Sequence, residues 1–131
     1  MKLLKYLIVA LLACYRPVEP SDYFFTRLSP LPSWYEKAYE EVRECAGSRL
    51  LAQAVPKVSF DEIMFFVVET DTMTIDGRVR TTAYATGRDI YLVPSVRDSV
   101  RIVKHEMMHV VTQIFSHPSF PFYACKLMKG Q

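Results

Sequence analysis

The sequence predicts an α+β domain: an N-terminal helix, a short antiparallel or mixed sheet, and a long helix that carries the candidate site. Three observations lead there. A capped helical pattern covers residues 34–45, three β-rich runs separated by turn residues lie between 60 and 93, and a broad apolar helical face follows Pro94. With 131 residues, half of them hydrophobic, and 8 Tyr and 8 Phe, the chain suffices for one compact domain with a dense core. A net charge of +2, from charges of both signs, offers no basic excess for nucleic acid and no acidic tail.

The first element lies outside that domain. Residues 1–13 place Lys2 and Lys5 around Leu3 and Leu4, then run through Leu7, Ile8, Val9, Ala10, Leu11, Leu12 and Ala13. A short basic region followed by an apolar one reads as an export signal. As a helix, the apolar run from Tyr6 to Ala13 would cover only about 12 Å, against a bilayer core of about 30 Å. Its end, Leu11-Leu12-Ala13-Cys14, resembles the lipobox of bacterial lipoproteins. The resemblance implies cleavage before Cys14, a lipid on its thiol, and an exported protein held on a membrane of the cell envelope. Plain secretory cleavage, or a buried apolar helix, is the competing reading.

Of Cys14, Cys45 and Cys125, setting aside the lipidated one leaves an even pair. An exported chain meets an oxidising compartment, so a Cys45–Cys125 disulfide is expected. Two buried thiols, or Cys125 as a metal ligand, are the alternatives.

Residues 14–32 hold Pro17, Pro20, Pro30 and Pro32 with no sustained period, and read as a tether to a domain at 33–131. Ser33-Trp34-Tyr35-Glu36 has the spacing of a capping box. It opens a helix through Cys45, with Trp34, Ala38, Val42 and Cys45 on one face and Gly47 as the stop. Phe60 to Glu69 is rich in aromatic and β-branched residues and predicts a strand. Asp76-Gly77 predicts a turn, Arg78 to Thr86 a second strand, Gly87-Arg88 another turn, and Asp89 to Val93 a third strand ended by Pro94. Ser95 and Asp98 repeat the capping logic and start a helix from Val96 to Phe115. Val100, Val103, Met107, Val110, Val111 and Ile114 form its apolar face, and Met107 and Met108 read as core filling.

That helix carries His105-Glu106-Met107-Met108-His109, with two of the chain's 3 histidines four residues apart. On a helix their rings share one side at about 6 Å, a separation at which both nitrogens reach one ion. Glu106 lies about 100° further round, outside the ligand set but near a coordinated water, where a carboxylate serves as general base. The pattern resembles the HExxH of the zincin metallopeptidases, in which the motif sits on a helix beneath a small sheet. The resemblance implies a small zincin-like domain, a catalytic zinc ion, and hydrolysis of a peptide or protein substrate, with Glu106 as the catalytic base.

A catalytic zinc takes three protein ligands. Residues 110–131 contain no Asp or Glu, so His117 is the candidate third ligand beside His105 and His109. The chain departs here from the zincin pattern H-E-x-x-H-x-x-G-x-x-H: Thr112 stands at the glycine, and His117 lies two residues beyond the last histidine. In an unbroken helix His117 would sit about 12 Å along the axis from His109. Ligation therefore requires the helix to end between Thr112 and Ser116, and Pro118 favours a turn at His117. Ser116 to Phe120, followed by Cys125, looks like the tail of small bacterial zincin-like proteins, and Phe120 to Tyr123 is expected to pack that tail against the site. Tyr123 is a candidate oxyanion donor or a packing residue.

Two functions lead at this level, with hydrolysis of a non-peptide amide as a third. One is a lipid-anchored zinc peptidase whose substrate lies along an exposed strand within Arg78 to Thr86. The other is a non-catalytic envelope lipoprotein, an interaction module stabilised by zinc.

Overall fold

The computed structural model describes residues 25–49, 58–75, 78–80 and 82–127. The expected export signal at 1–13, the expected lipidation site Cys14 and the expected Asp76-Gly77 turn lie outside the described residues. Among the described residues no helix is long and apolar enough to cross a membrane.

The architecture is α+β: a small four-stranded sheet with two helices packed on one face. In chain order the elements are β1 (Phe25–Arg27), α1 (Trp34–Arg49), β2 (Met64–Val68), β3 (Met73–Ile75), β4 (Arg78–Arg80), β5 (Ala83–Thr86), β6 (Asp89–Leu92) and α2 (Val100–Thr112). Short 3-10 turns precede β2 and α2, and a π-helical turn, Ser119–Tyr123, follows α2. The main sheet has the order β1-β2-β6-β5, while β3 and β4 form a separate hairpin. It is mixed: β2 runs parallel to β6, and β1 and β5 are antiparallel to their neighbours.

Phe25–Arg27 falls within the stretch expected to be tether, yet it is an edge strand, Thr26 opposite Val67. Three residues are too few to show alternation. What holds them is aromatic packing, with the Phe25 ring edge-on to Phe66 at 5.1 Å and to Tyr91 at 5.4 Å. The main-chain N–H of Leu28 then donates to Phe65 O over 2.8 Å, and Leu28 and Leu31 pack on the core. The ordered domain thus begins before Ser33.

The buried stripe of α1 is Tyr35, Ala38, Tyr39, Val42 and Ala46, rotated from the expected face. Trp34 and Cys45 are only partly buried. The rotation follows from the phenols, which bury their rings because each hydroxyl finds a carbonyl. Tyr35 donates to Arg97 O over 2.6 Å and Tyr39 to Val58 O over 2.7 Å. Gly47 does not end the helix, which continues to Arg49.

Arg78 to Thr86, expected as one strand, is two, because β4 pairs with β3 and β5 with β6. No glycine or proline in that run marks the change of partner. The β5–β6 turn does have its glycine, Gly87, at φ 57°.

The core fills the space between sheet and helices. Phe65, Ile90 and Leu92 from the sheet meet Tyr35 and Val42 of α1, and Val103, Met107, Met108, Val110 and Val111 of α2. A disulfide joins Cys45 to Cys125, with S–S 2.03 Å, and ties α1 to the segment after α2. Cys125 is therefore not a metal ligand.

Candidate metal centre

Helix α2 is shorter at both ends than its apolar face suggests. Its cap is Ser99, not Ser95: Val103 N–H donates to Ser99 O over 2.9 Å, and Ser99 Oγ accepts from Ile102 N–H at 3.5 Å. Ser95 lies in the 3-10 turn Pro94–Val96. At the other end, Thr112 Oγ1 donates to Met108 O over 2.6 Å, and Gln113 turns left-handed at φ 55°. A non-glycine residue in that region is held by local bonds. Gln113 Nε2 donates to Val110 O over 2.6 Å and to Gly87 O over 2.8 Å, which seals the helix end against the β5–β6 turn.

Ending α2 at Thr112 is what brings His117 back. Its Nε2 lies 3.0 Å from His105 Nε2 and 3.1 Å from His109 Nε2, and the latter two atoms are 3.1 Å apart. The three histidines are the group among the described residues whose ligand atoms can hold a metal ion.

The protonation pattern favours a cation. A neutral imidazole has one N–H, and a carbonyl oxygen only accepts. His105 Nδ1 therefore donates to Leu127 O over 2.8 Å, and His109 Nδ1 donates to Ile114 O over 2.6 Å. Both rings are left presenting Nε2 lone pairs to each other, an arrangement that repels unless positive charge lies between them. Nitrogens held about 2.0–2.1 Å from one ion lie roughly 3.0–3.4 Å from each other, so the triangle fits. The two carbonyls fix tautomer and ring orientation, as partners of metal-bound histidines do.

Burial pushes the His109 imidazole down to about 4, opposed by its bond to Ile114 O and assisted by the neighbouring rings. Burial likewise lowers His105, with smaller lowering by His117 and Arg101. Both shifts favour the neutral ring, the form that binds metal.

Phe122 is the floor of the site. Fully buried, it places its ring 5.1 Å from His105, 4.5 Å from His109 and 5.3 Å from His117. It sits in the π-helical turn Ser119–Tyr123, the segment expected to fold back. Tyr123 is half exposed and is not among the residues that bound the cavity above the histidines.

That cavity, about 550 Å³, is bounded by the three histidines, Glu106, Arg101, Phe115 and strand β5. Glu106 is 7% exposed, one residue round from His105 and outside the triad, as the helical offset predicts. Strand β5 ends the sheet, and its edge register follows from one bond. Val93 N–H donates to Thr82 O over 3.0 Å, so bonded pairs fall at Thr82, Tyr84 and Thr86, and the main-chain groups of Ala83 and Ala85 point away from β6.

A family model described as the eCIS core domain matches residues 61–115. The match spans less than half of the chain, from just before β2 to just after α2. It includes His105, Glu106 and His109, and stops short of His117. No curated protein and no solved structure matches.

The spacing of His105, Glu106 and His109 located the site in the sequence. The contributions of Leu127 O and Ile114 O were missed, and Phe122 was not singled out within the segment Phe120 to Tyr123 expected to pack there. Carbonyl positions leave no mark in residue identity, and Phe122 is one aromatic among several in the tail.

Proposed function

We propose that this chain is a zinc-dependent peptidase of zincin type. The observation that carries this reading is the convergence of three Nε2 atoms and Glu106 on one cavity beside the outward main chain of Ala83 and Ala85. His105, His109 and His117 would hold the ion. A zinc ion so held acts as a Lewis acid that lowers the pKa of water to about 7.

The remaining work falls to the protein. Ala83 and Ala85 offer N–H and C=O groups to an extended peptide, which adds as a further strand and brings a peptide carbonyl to the histidines. A Glu106 carboxylate oxygen takes the proton of the attacking water and passes it to the departing amine nitrogen. Helix α2 and Phe122 hold the ligand rings in place, which limits the reorganisation needed during reaction.

The test compares wild type with Glu106→Gln for zinc content and for cleavage of a mixed-peptide substrate. Equal zinc with hydrolysis lower by about 10²–10⁴-fold is expected. Undiminished hydrolysis in the variant rejects the mechanism.

A second reading, a zinc-stabilised interaction module without catalysis, is favoured by the way the site itself fastens the tail: His117 and Leu127 both reach back to α2 through it. Zinc-dependent folding with no cleavage of any peptide would establish it. Under either reading we place the protein on the cell envelope. The Cys45–Cys125 disulfide suits an oxidising compartment, and Leu11-Leu12-Ala13-Cys14 supplies the lipidation sequence. An unmodified Cys14 in the mature protein, read by mass spectrometry, would exclude the anchor.

A further inference from the structure

Helix α2 and strand β5 run side by side in the same direction. The end of β6 leads through Pro94–Val96 into the start of α2, and β5 is antiparallel to β6, so Thr82 lies at the α2 N-terminal end. Gln113 bonding to Gly87 O fixes the other end. The groove between them therefore has two unlike ends. Arg101 lines the first, and Phe115, 46% exposed with its ring stacked on His109 at 6.1 Å, lines the second.

Arg101 is poorly placed for helix stability. It occupies the first turn of α2, which has no acid, where the helix dipole favours negative charge. Among the described residues it forms no salt bridge, whereas Arg43, Arg88, Arg97 and Lys104 each pair with a carboxylate. One helical turn separates it from His105 on the same stripe, and it lines the cavity beside the triad.

We infer that Arg101 selects substrates carrying a carboxylate, so that the groove takes an acidic peptide; the inference rests on the peptidase reading of the same site. Arg101 lies about 6 Å along the axis from His105 and about 9 Å from the midpoint of the histidine pair. An extended peptide advances about 3.3 Å per residue, which places the acidic residue two or three positions from the bond cleaved. A peptide antiparallel to β5 has its C-terminal half at Thr82 and Arg101, and its N-terminal half at Phe115. The substrate then has an apolar side chain before the cleaved bond and aspartate or glutamate after it. The planar guanidinium binds a carboxylate by two parallel bonds, which lysine cannot reproduce.

The probes are two labelled alanine–glycine peptides with one phenylalanine. One carries glutamate two residues after it, and the other carries glutamine there. Cleavage is measured with the zinc-loaded full chain, and binding with zinc-loaded Glu106→Gln, each with and without Arg101→Gln and Arg101→Glu. A preference for the glutamate peptide of about tenfold is expected. It should vanish in Arg101→Gln, invert toward the glutamine peptide in Arg101→Glu, and shrink with salt.

Cleavage without acidic preference, or a preference that survives Arg101→Gln, overturns the inference and leaves the peptidase reading standing. Arg101-dependent binding of the glutamate peptide with no cleavage does the reverse. Neither binding nor cleavage overturns both. Unchanged zinc content in each Arg101 variant shows that the site has folded.

Discussion

His105 Nδ1 donates to the main-chain oxygen of Leu127 over 2.8 Å, and Leu127 lies two residues after Cys125 of the disulfide to Cys45. The bond that orients this candidate metal ligand is thus supplied by a segment that a covalent tie joins to α1. Reducing the disulfide frees that segment and the tautomer it enforces. Loss of such an orienting partner costs about 10–100-fold in metal affinity, and the cross-link, closing 80 residues, contributes roughly 4 kcal/mol in the loop-entropy view. We expect Cys45→Ser with Cys125→Ser to bind zinc at least tenfold more weakly in competition with a chromophoric chelator. Equal affinity would show that Leu127 O is held without the disulfide.

His117 is the candidate ligand that stands outside the helical motif, and removing it tests the triad directly. Zinc should raise the melting temperature of wild type and leave that of His117→Ala nearly unmoved, because binding to the native state alone is what stabilises. The corresponding fall in affinity is expected to be about a hundredfold or more, since a ligand and not merely its support is lost. A full thermal shift in the variant would remove His117 from the site.

Phe122 supports all three imidazoles while belonging to the core. Phe122→Ala removes a fully buried ring, at a cost of about 3–5 kcal/mol. Phe122→Leu should cost less and keep the fold, so its zinc affinity isolates the positioning role from global stability. A drop of severalfold in Phe122→Leu, with native circular dichroism, is the outcome expected. Unaltered zinc affinity in that variant would reduce Phe122 to core filling.

The parts of this fold that were legible in the sequence are those set by local pattern. The histidine spacing, the apolar face of α2, and the proline that turns the chain at His117 all act within a few residues of one another. What escaped depends on distant partners. Phe25–Arg27 is a strand only because Phe66 and Tyr91 offer it an aromatic surface, and nothing in the Pro-containing stretch around it signals that. The exchange of partners between β4 and β5 is likewise a matter of sheet pairing, not of residue type. In α1, Tyr35 and Tyr39 displace Trp34 and Cys45 from the buried face because Arg97 O and Val58 O happen to lie within reach. The Cys45–Cys125 link illustrates the middle ground. Counting cysteines suggested it, but deciding against metal ligation by Cys125 required the fold.

The depressed basicity of the buried rings makes stability depend on pH in a definite direction. His109 titrates at about 4 in the folded chain, against about 6.5 when unfolded, and burial is the main cause. Above about 6.5 neither state binds the proton, and the ring imposes no pH dependence. Between the two values the unfolded chain takes up a proton that the native one refuses, so the metal-free fold weakens as pH falls. The loss from His109 alone amounts to about 3 kcal/mol by pH 4, and His105, shifted the same way, adds to it. Chelator-treated protein should therefore melt at progressively lower temperature from pH 7 to pH 4. His109→Gln should make that slope shallower, leaving the smaller share that comes from His105. A wild-type melting temperature independent of pH across this interval would contradict the burial of His109 in the metal-free fold.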